Sequence, residues 1–147
     1  MFNLKTTAQE LEGMLKDIAT TSGIFVPISK DLIKYKKYTI VKLPDAGWAI
    51  FLNNERKKHI MNTFLKVSAF AVCKLHEKNQ VARLDEIEYN DRVFEKNYID
   101  SLVFRHTYKT TKDVQTRDNA LWRYEIAHGK AKHCKQVIDS IFYASVT

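Results

Sequence analysis

The last thirty residues constrain the fold most, because they carry apolar side chains at helical spacing on two sides of one helix. Ala120, Tyr124, Ala127, Ala131, Cys134, Ile138 and Ser145 fall on one stripe at about 100° per residue, with Ile141 and Phe142 flanking it. This predicts a single helix from Arg117 or Asp118 to about Ala144. A second stripe, Trp122, Ile126, Gly129 and His133, lies roughly 120–160° around the same axis. A helix on a monomer surface needs only one apolar face, so Trp122 and Ile126 call for a cover supplied by the chain itself, a protein partner or a second copy. Gly129 gives up about 1 kcal/mol of helix propensity against alanine, which close approach of another backbone would account for.

Elsewhere the pattern predicts a mixture of helices and a small sheet. Leu4, Ala8, Leu11, Leu15 and Ile18 predict a first helix over 8–20, with Thr7 and Glu10 as a capping box and Gly23 as its stop. Residues 24–28 form a short apolar run broken by Pro27, after which Ser29 is a cap for a brief turn through Leu32 and Ile33. Residues 38–43 and 48–52 read as a hairpin around Pro44, Asp45, Ala46 and Gly47, with 24–26 as a candidate third strand. Asn53 or Asn54 then caps a helix running to about Lys78, with Ile60, Phe64, Val67, Ala71 and Leu75 on one face and Met61, Leu65 and Val72 widening it. Few polar residues fall between 64 and 75, which places this helix at the centre of the core. Over 80–111 the sequence allows a short helix at Leu84 and Ile87, then either a helix from Asn90 or Asp91 or a strand at 102–104.

Lys and Arg number 24 against 17 Asp and Glu, a net charge of +7 that favours polyanionic company and also suits a small soluble domain. Cys73 and Cys134 are too few for a disulfide framework and lack CxxC spacing, so a reducing, intracellular setting is expected. No basic leader followed by an apolar run opens the chain, and the most apolar window, 60–75, is interrupted by Lys66 and Lys74 and is too short to span a membrane. Membrane insertion is not expected. The abundance of Lys, Asn and Tyr fits an AT-rich coding genome, a viral one included, so a cytoplasmic or virion-associated setting is expected.

Residues 30–42 hold five lysines against one aspartate, with tyrosines between them. Lys34, Lys36, Lys37 and Lys42 suit phosphate neutralisation and Tyr35 and Tyr38 suit base stacking, and Arg56, Lys57 and Lys58 extend the patch. A second basic region around Arg105, Lys109, Lys112, Arg117, Arg123, Lys130, Lys132 and Lys135 forms no single recognition stripe. The acidic stretch 85–100 separates the two basic regions, so copies of the chain have opposite charges to set against one another.

Two enzyme-like patterns remain. The order Pro44, Asp45, Glu55, Lys57 resembles that of metal-dependent nucleases of the PD-(D/E)xK class. The resemblance implies Asp45 and Glu55 as ligands of a divalent metal and Lys57 as the group stabilising attacking hydroxide or developing phosphate charge. The sequence departs from that pattern by placing Glu55 and Lys57 at a loop and helix start instead of a core strand end. Glu125 and His128 form one ExxH pair, where a di-iron bundle needs two such pairs and two more carboxylates, and zinc needs three or four converging groups. Glycines standing singly at 13, 23, 47 and 129 exclude GxGxxG and phosphate-binding loops, so no cofactor is expected.

The expectation is a single basic, helix-rich α+β domain over 1–147, with a small antiparallel hairpin or three-stranded sheet and long central and C-terminal helices. A non-enzymatic structural or assembly protein acting through Trp122, Ile126, Gly129 and His133 ranks first. A basic nucleic-acid-binding accessory protein with weak sequence specificity ranks second and a metal-dependent nuclease third, with no catalytic or metal-binding residue assigned.

Overall fold

A computed structural model describes residues 3–16, 25–53 and 57–145. Helix α1 (Leu4–Lys16) precedes strands β1 (Val26–Ser29), β2 (Leu32–Tyr35), β3 (Tyr38–Lys42), β4 (Trp48–Asn53) and β5 (Lys57–Thr63). Helix α2 (Lys66–Glu77), a 3-10 turn (Val81–Arg83), α3 (Leu84–Thr110) and α4 (Val114–Ser145) follow. The architecture is α+β, and the five strands pair antiparallel in sequence order, a larger sheet than the hairpin or three strands expected.

The sheet's inner face is set by alternation. Ile33, Ile40, Ile50 and Met61 form one row across β2 to β5, and Tyr35 pairs with Tyr38 and Tyr38 with Leu52 in the next. Against this face lies α2, in which every residue from Val67 to Leu75 is buried. The α3–α4 hairpin covers its other side with Ile87, Phe94, Tyr124, Ala131, Ile138 and Phe142, and α1 rests on α4. The layers are therefore sheet, central helix and helical hairpin. The third strand expected at 24–26 is β1, shifted to Val26–Ser29; Ile24 and Gly23 lie outside the described residues. Leu32 and Ile33 belong to β2 instead of a turn.

Two differences from the sequence reading share one cause. The helix expected from Asn53 or Asn54 starts only at Lys66, because 57–63 pair with β4 through a register shift at Ile50/Phe51. The buried Asp91 carboxylate then accepts hydrogen bonds from the backbone N–H of Phe64 at 2.7 Å and of Leu65 at 3.0 Å, fixing where the strand ends and α2 begins. The helix start expected at Asn90 or Asp91 is absent, since α3 runs unbroken from Leu84 to Thr110. Inside it Asn90 and Asn97 donate to the carbonyls of Glu86 and Val93, each at 2.8 Å, so residues that commonly cap are satisfied mid-helix.

Helix ends elsewhere also moved. Asn3, not Thr7, caps α1 by accepting from the Thr6 N–H at 3.1 Å. Asp113 accepts from the Thr116 N–H at 3.0 Å and opens α4 three residues before the expected start at Arg117. Gly47 has φ +93°, and a Cβ there would overlap the Thr63 carbonyl oxygen, so the turn between β3 and β4 requires glycine.

Candidate functional site

The 32-residue α4 is a continuous rod through Gly129. Its main stripe, Ala120, Tyr124, Ala127, Ala131, Cys134 and Ile138, is buried as expected. The second stripe is open: Trp122 is 59% and Ile126 39% exposed, Gly129 and His133 are exposed, and nothing lies within 4 Å of where a Gly129 Cβ would sit. No described part of the chain roofs this side or brings a backbone close enough to account for the glycine.

Helix α3 extends the apolar surface. Ile126 shares a shallow groove with Lys96, Asp100 and Phe104 of α3, and Arg123 and Lys130 of α4 border it. At 100° per residue Ile99 and Val103 lie within about 60° of Lys96, on the solvent side of the same turns. They are 49% and 57% exposed. Four large apolar side chains, Ile99, Val103, Trp122 and Ile126, thus occupy the middle of the hairpin's outer face. Sequence reading missed the two on α3 because it did not see one continuous helix there.

Charge along this face is matched locally and segregated at its ends. Arg92 pairs with Glu88 at 3.0 Å and Lys96 with Asp100 at 3.2 Å. Asp85, Glu86 and Glu88 are at the start of α3, whereas Lys109 and Lys112 stand at the turn into α4.

The basic residues singled out from the sequence divide. Lys36 and Lys37 form the turn between β2 and β3, and the Lys37 carbonyl accepts the Asn53 N–H, which brings that turn beside the start of β5. Lys34, Lys36, Lys37, Lys57 and Lys58 therefore gather at one end of the sheet, with Lys36 ion-paired to Glu77. Lys42 is at the opposite end, where it and Lys66 lie over the Trp48 ring at 5.5 and 4.9 Å. Arg56 lies outside the described residues. Tyr35 and Tyr38 face the core, so the stacking role expected of them is not available. Burial pushes the Tyr38 phenol up to about 12. The outer face of the sheet instead carries the row Lys34, Thr39, Phe51 and His59 across four strands. The Lys57 ammonium lies 4.7 Å from the Phe51 ring centre, and the His59 ring stands edge-on at 5.4 Å. Phe51 and His59 were legible only as alternating positions once β5 is known to be a strand.

The nuclease-like order is not assembled. Asp45 is in the turn before β4 and Lys57 pairs with the far end of that six-residue strand, about 17 Å away at 3.3 Å per residue. Glu55 lies outside the described residues. Lys57 begins a strand, not the helix expected of it. Among the described residues no three His, Cys, Asp or Glu side chains come together as a metal site. His128 of the ExxH pair sits 3.2 Å from Glu10, which also pairs with Lys132 at 3.1 Å and so ties α1 to α4. Cys73 is fully buried because α2 is covered all round, and burial pushes its thiol up, away from nucleophilic use. No described helix is long and apolar enough to cross a membrane.

The chain matches no protein-family model, no curated protein and no solved structure.

Proposed function

We propose that this protein is a non-enzymatic assembly protein that pairs with copies of itself through the outer face of the α3–α4 hairpin. The observation that carries the reading is the joint exposure of Trp122, Ile126, Ile99 and Val103 in the middle of two long, rigid helices. Aromatic and aliphatic anchors at the centre of a patch with a polar rim are what protein interfaces use.

Size and charge support self-pairing. The 27-residue α3 is about 40 Å long, and two adjacent helices are about 20 Å wide, giving about 800 Å², the share one partner contributes to a stable interface. A two-fold, antiparallel arrangement sets the acidic start of α3 in one copy against Lys109 and Lys112 of the other, with the apolar centre on itself.

The test is the double variant Trp122→Glu, Ile126→Glu, compared with the parent by light scattering over a concentration series and by thermal melting. The expected result is a parent whose mass rises with concentration, and a variant that stays monomeric with the parent's melting temperature to within a few degrees. A parent that remains monomeric to millimolar concentration refutes self-assembly. A variant that loses its fold shows that the stripe is covered from within the chain.

A further inference from the structure

We infer that the basic end of the sheet's outer face binds single-stranded nucleic acid. The described residues of 25–63 carry seven Lys against two Asp, so +5 of the chain's +7 belongs to the strands and the turns between them. At this end of β2 to β5 the outward positions are the exposed Lys34, Asn53, Lys57 and His59, the half-buried Phe51 and the buried Thr39, none of them acidic. The three-layer order puts this surface on the opposite side of the molecule from the α3–α4 face, so the two sites work independently.

The chemistry favours a single strand over a duplex. Phe51 offers a ring on a flat, four-strand row about 14 Å wide, the scale on which open antiparallel sheets seat two or three unstacked bases. Bases inside a duplex have no free face for such a ring, and the sheet offers no helix to enter a major groove. The Lys57 ammonium now over Phe51 is the group a base displaces; it then meets the neighbouring phosphate, while Lys34 and Lys37 hold phosphates on either side. Lys36 remains with Glu77 and contributes to the turn more than to the ligand.

The probe is a labelled twelve-residue oligothymidylate, compared by fluorescence anisotropy with a duplex of equal length and with vesicles containing 30% phosphatidylserine. Neutralising three phosphates predicts an about 20-fold loss of affinity between 50 and 200 mM salt, at a slope of roughly 0.7 per phosphate. Lys34→Gln with Lys57→Gln is expected to reduce that loss to about 3-fold. Phe51→Leu, which keeps an apolar side chain on the strand, is expected to weaken binding about 5-fold or more without changing the salt slope. Thermal melts of both variants serve as the folding control. Equal or tighter duplex binding, indifference to Phe51→Leu, or binding to vesicles alone overturns the inference.

Discussion

Replacing Asp91 by alanine is expected to destabilise the protein more than any other single change at a polar residue. The side chain is 4% exposed and its two carboxylate oxygens take the N–H groups of Phe64 and Leu65, which have no helical partner at the start of α2. Each buried donor left unsatisfied costs about 1–3 kcal/mol, so Asp91→Ala should cost about 3–5 kcal/mol. That is a large fraction of the roughly 5–15 kcal/mol that holds a domain folded. With an unfolding entropy of about 2.1 cal/mol/K per residue, the melting temperature falls by about 10–15 °C. Asp91→Asn keeps one acceptor oxygen and should cost less. Burial, the dominant influence, raises the Asp91 pKa, while the N–H bonds from Phe64 and Leu65 oppose it. A raised native pKa means that this group's contribution is complete below its usual value of 3.8 and declines as pH rises through the raised one. The penalty for Asp91→Asn, read by urea unfolding of parent and variant, should therefore be larger at pH 3.5 than at pH 6.5. An alanine variant within 1 kcal/mol of the parent, or an asparagine penalty that grows toward neutral pH, would refute the reasoning.

Other sites give sharper single readouts. Gly47→Ala meets both a positive φ and the Thr63 carbonyl, and should lose at least about 2 kcal/mol in chemical denaturation. Phe142→Ala empties a fully buried site beside Phe70 and Phe25 and should cost about 3–5 kcal/mol, measured the same way. The hydrogen bond from Lys132 is the leading cause holding Glu10 below the usual carboxylate range, so its contribution is present above that range and lost as pH falls through the lowered value. Glu10→Gln should accordingly loosen α1 at pH 7, by no more than about 1 kcal/mol for so exposed a pair, and match the parent at pH 3 by amide exchange.

The parts of the fold legible in the sequence were those decided by local pattern. The stripe from Ala120 to Ile138 is periodic over five turns, and Pro44 with Gly47 punctuates the hairpin between β3 and β4. Both depend on neighbours close in sequence. The boundary at 63–66 depends instead on Asp91, more than twenty residues away, and the apolar spacing of 60, 64, 67 and 71 suits a helix although Ile60 and Met61 belong to a strand. Asn90 and Asp91 have the chemistry of helix starters, but one bonds back within α3 and the other caps a different helix. No local rule distinguishes those uses.

The candidate surfaces divide in the same way. Trp122 and Ile126 stood out because a second stripe on a helix is visible in one dimension, whereas their neighbours Ile99 and Val103 join them only through the packing of α3 on α4. Tyr35 and Tyr38 read as ligand-facing because they sit among lysines. The alternation of β2 and β3 turns both rings inward and leaves Lys34 outward, and cross-strand register brings Phe51 beside Lys57.

The central claim, that the hairpin's Trp-bearing side is bare in the monomer and covered by a second copy, can be read from the fluorescence of one residue. The chain has two tryptophans, and Trp48→Phe leaves Trp122 as the sole emitter. Acrylamide quenching of that protein should be strong at micromolar concentration and fall steadily toward millimolar as copies pair. Quenching that stays strong at every concentration, or is weak already at the lowest, would contradict the account.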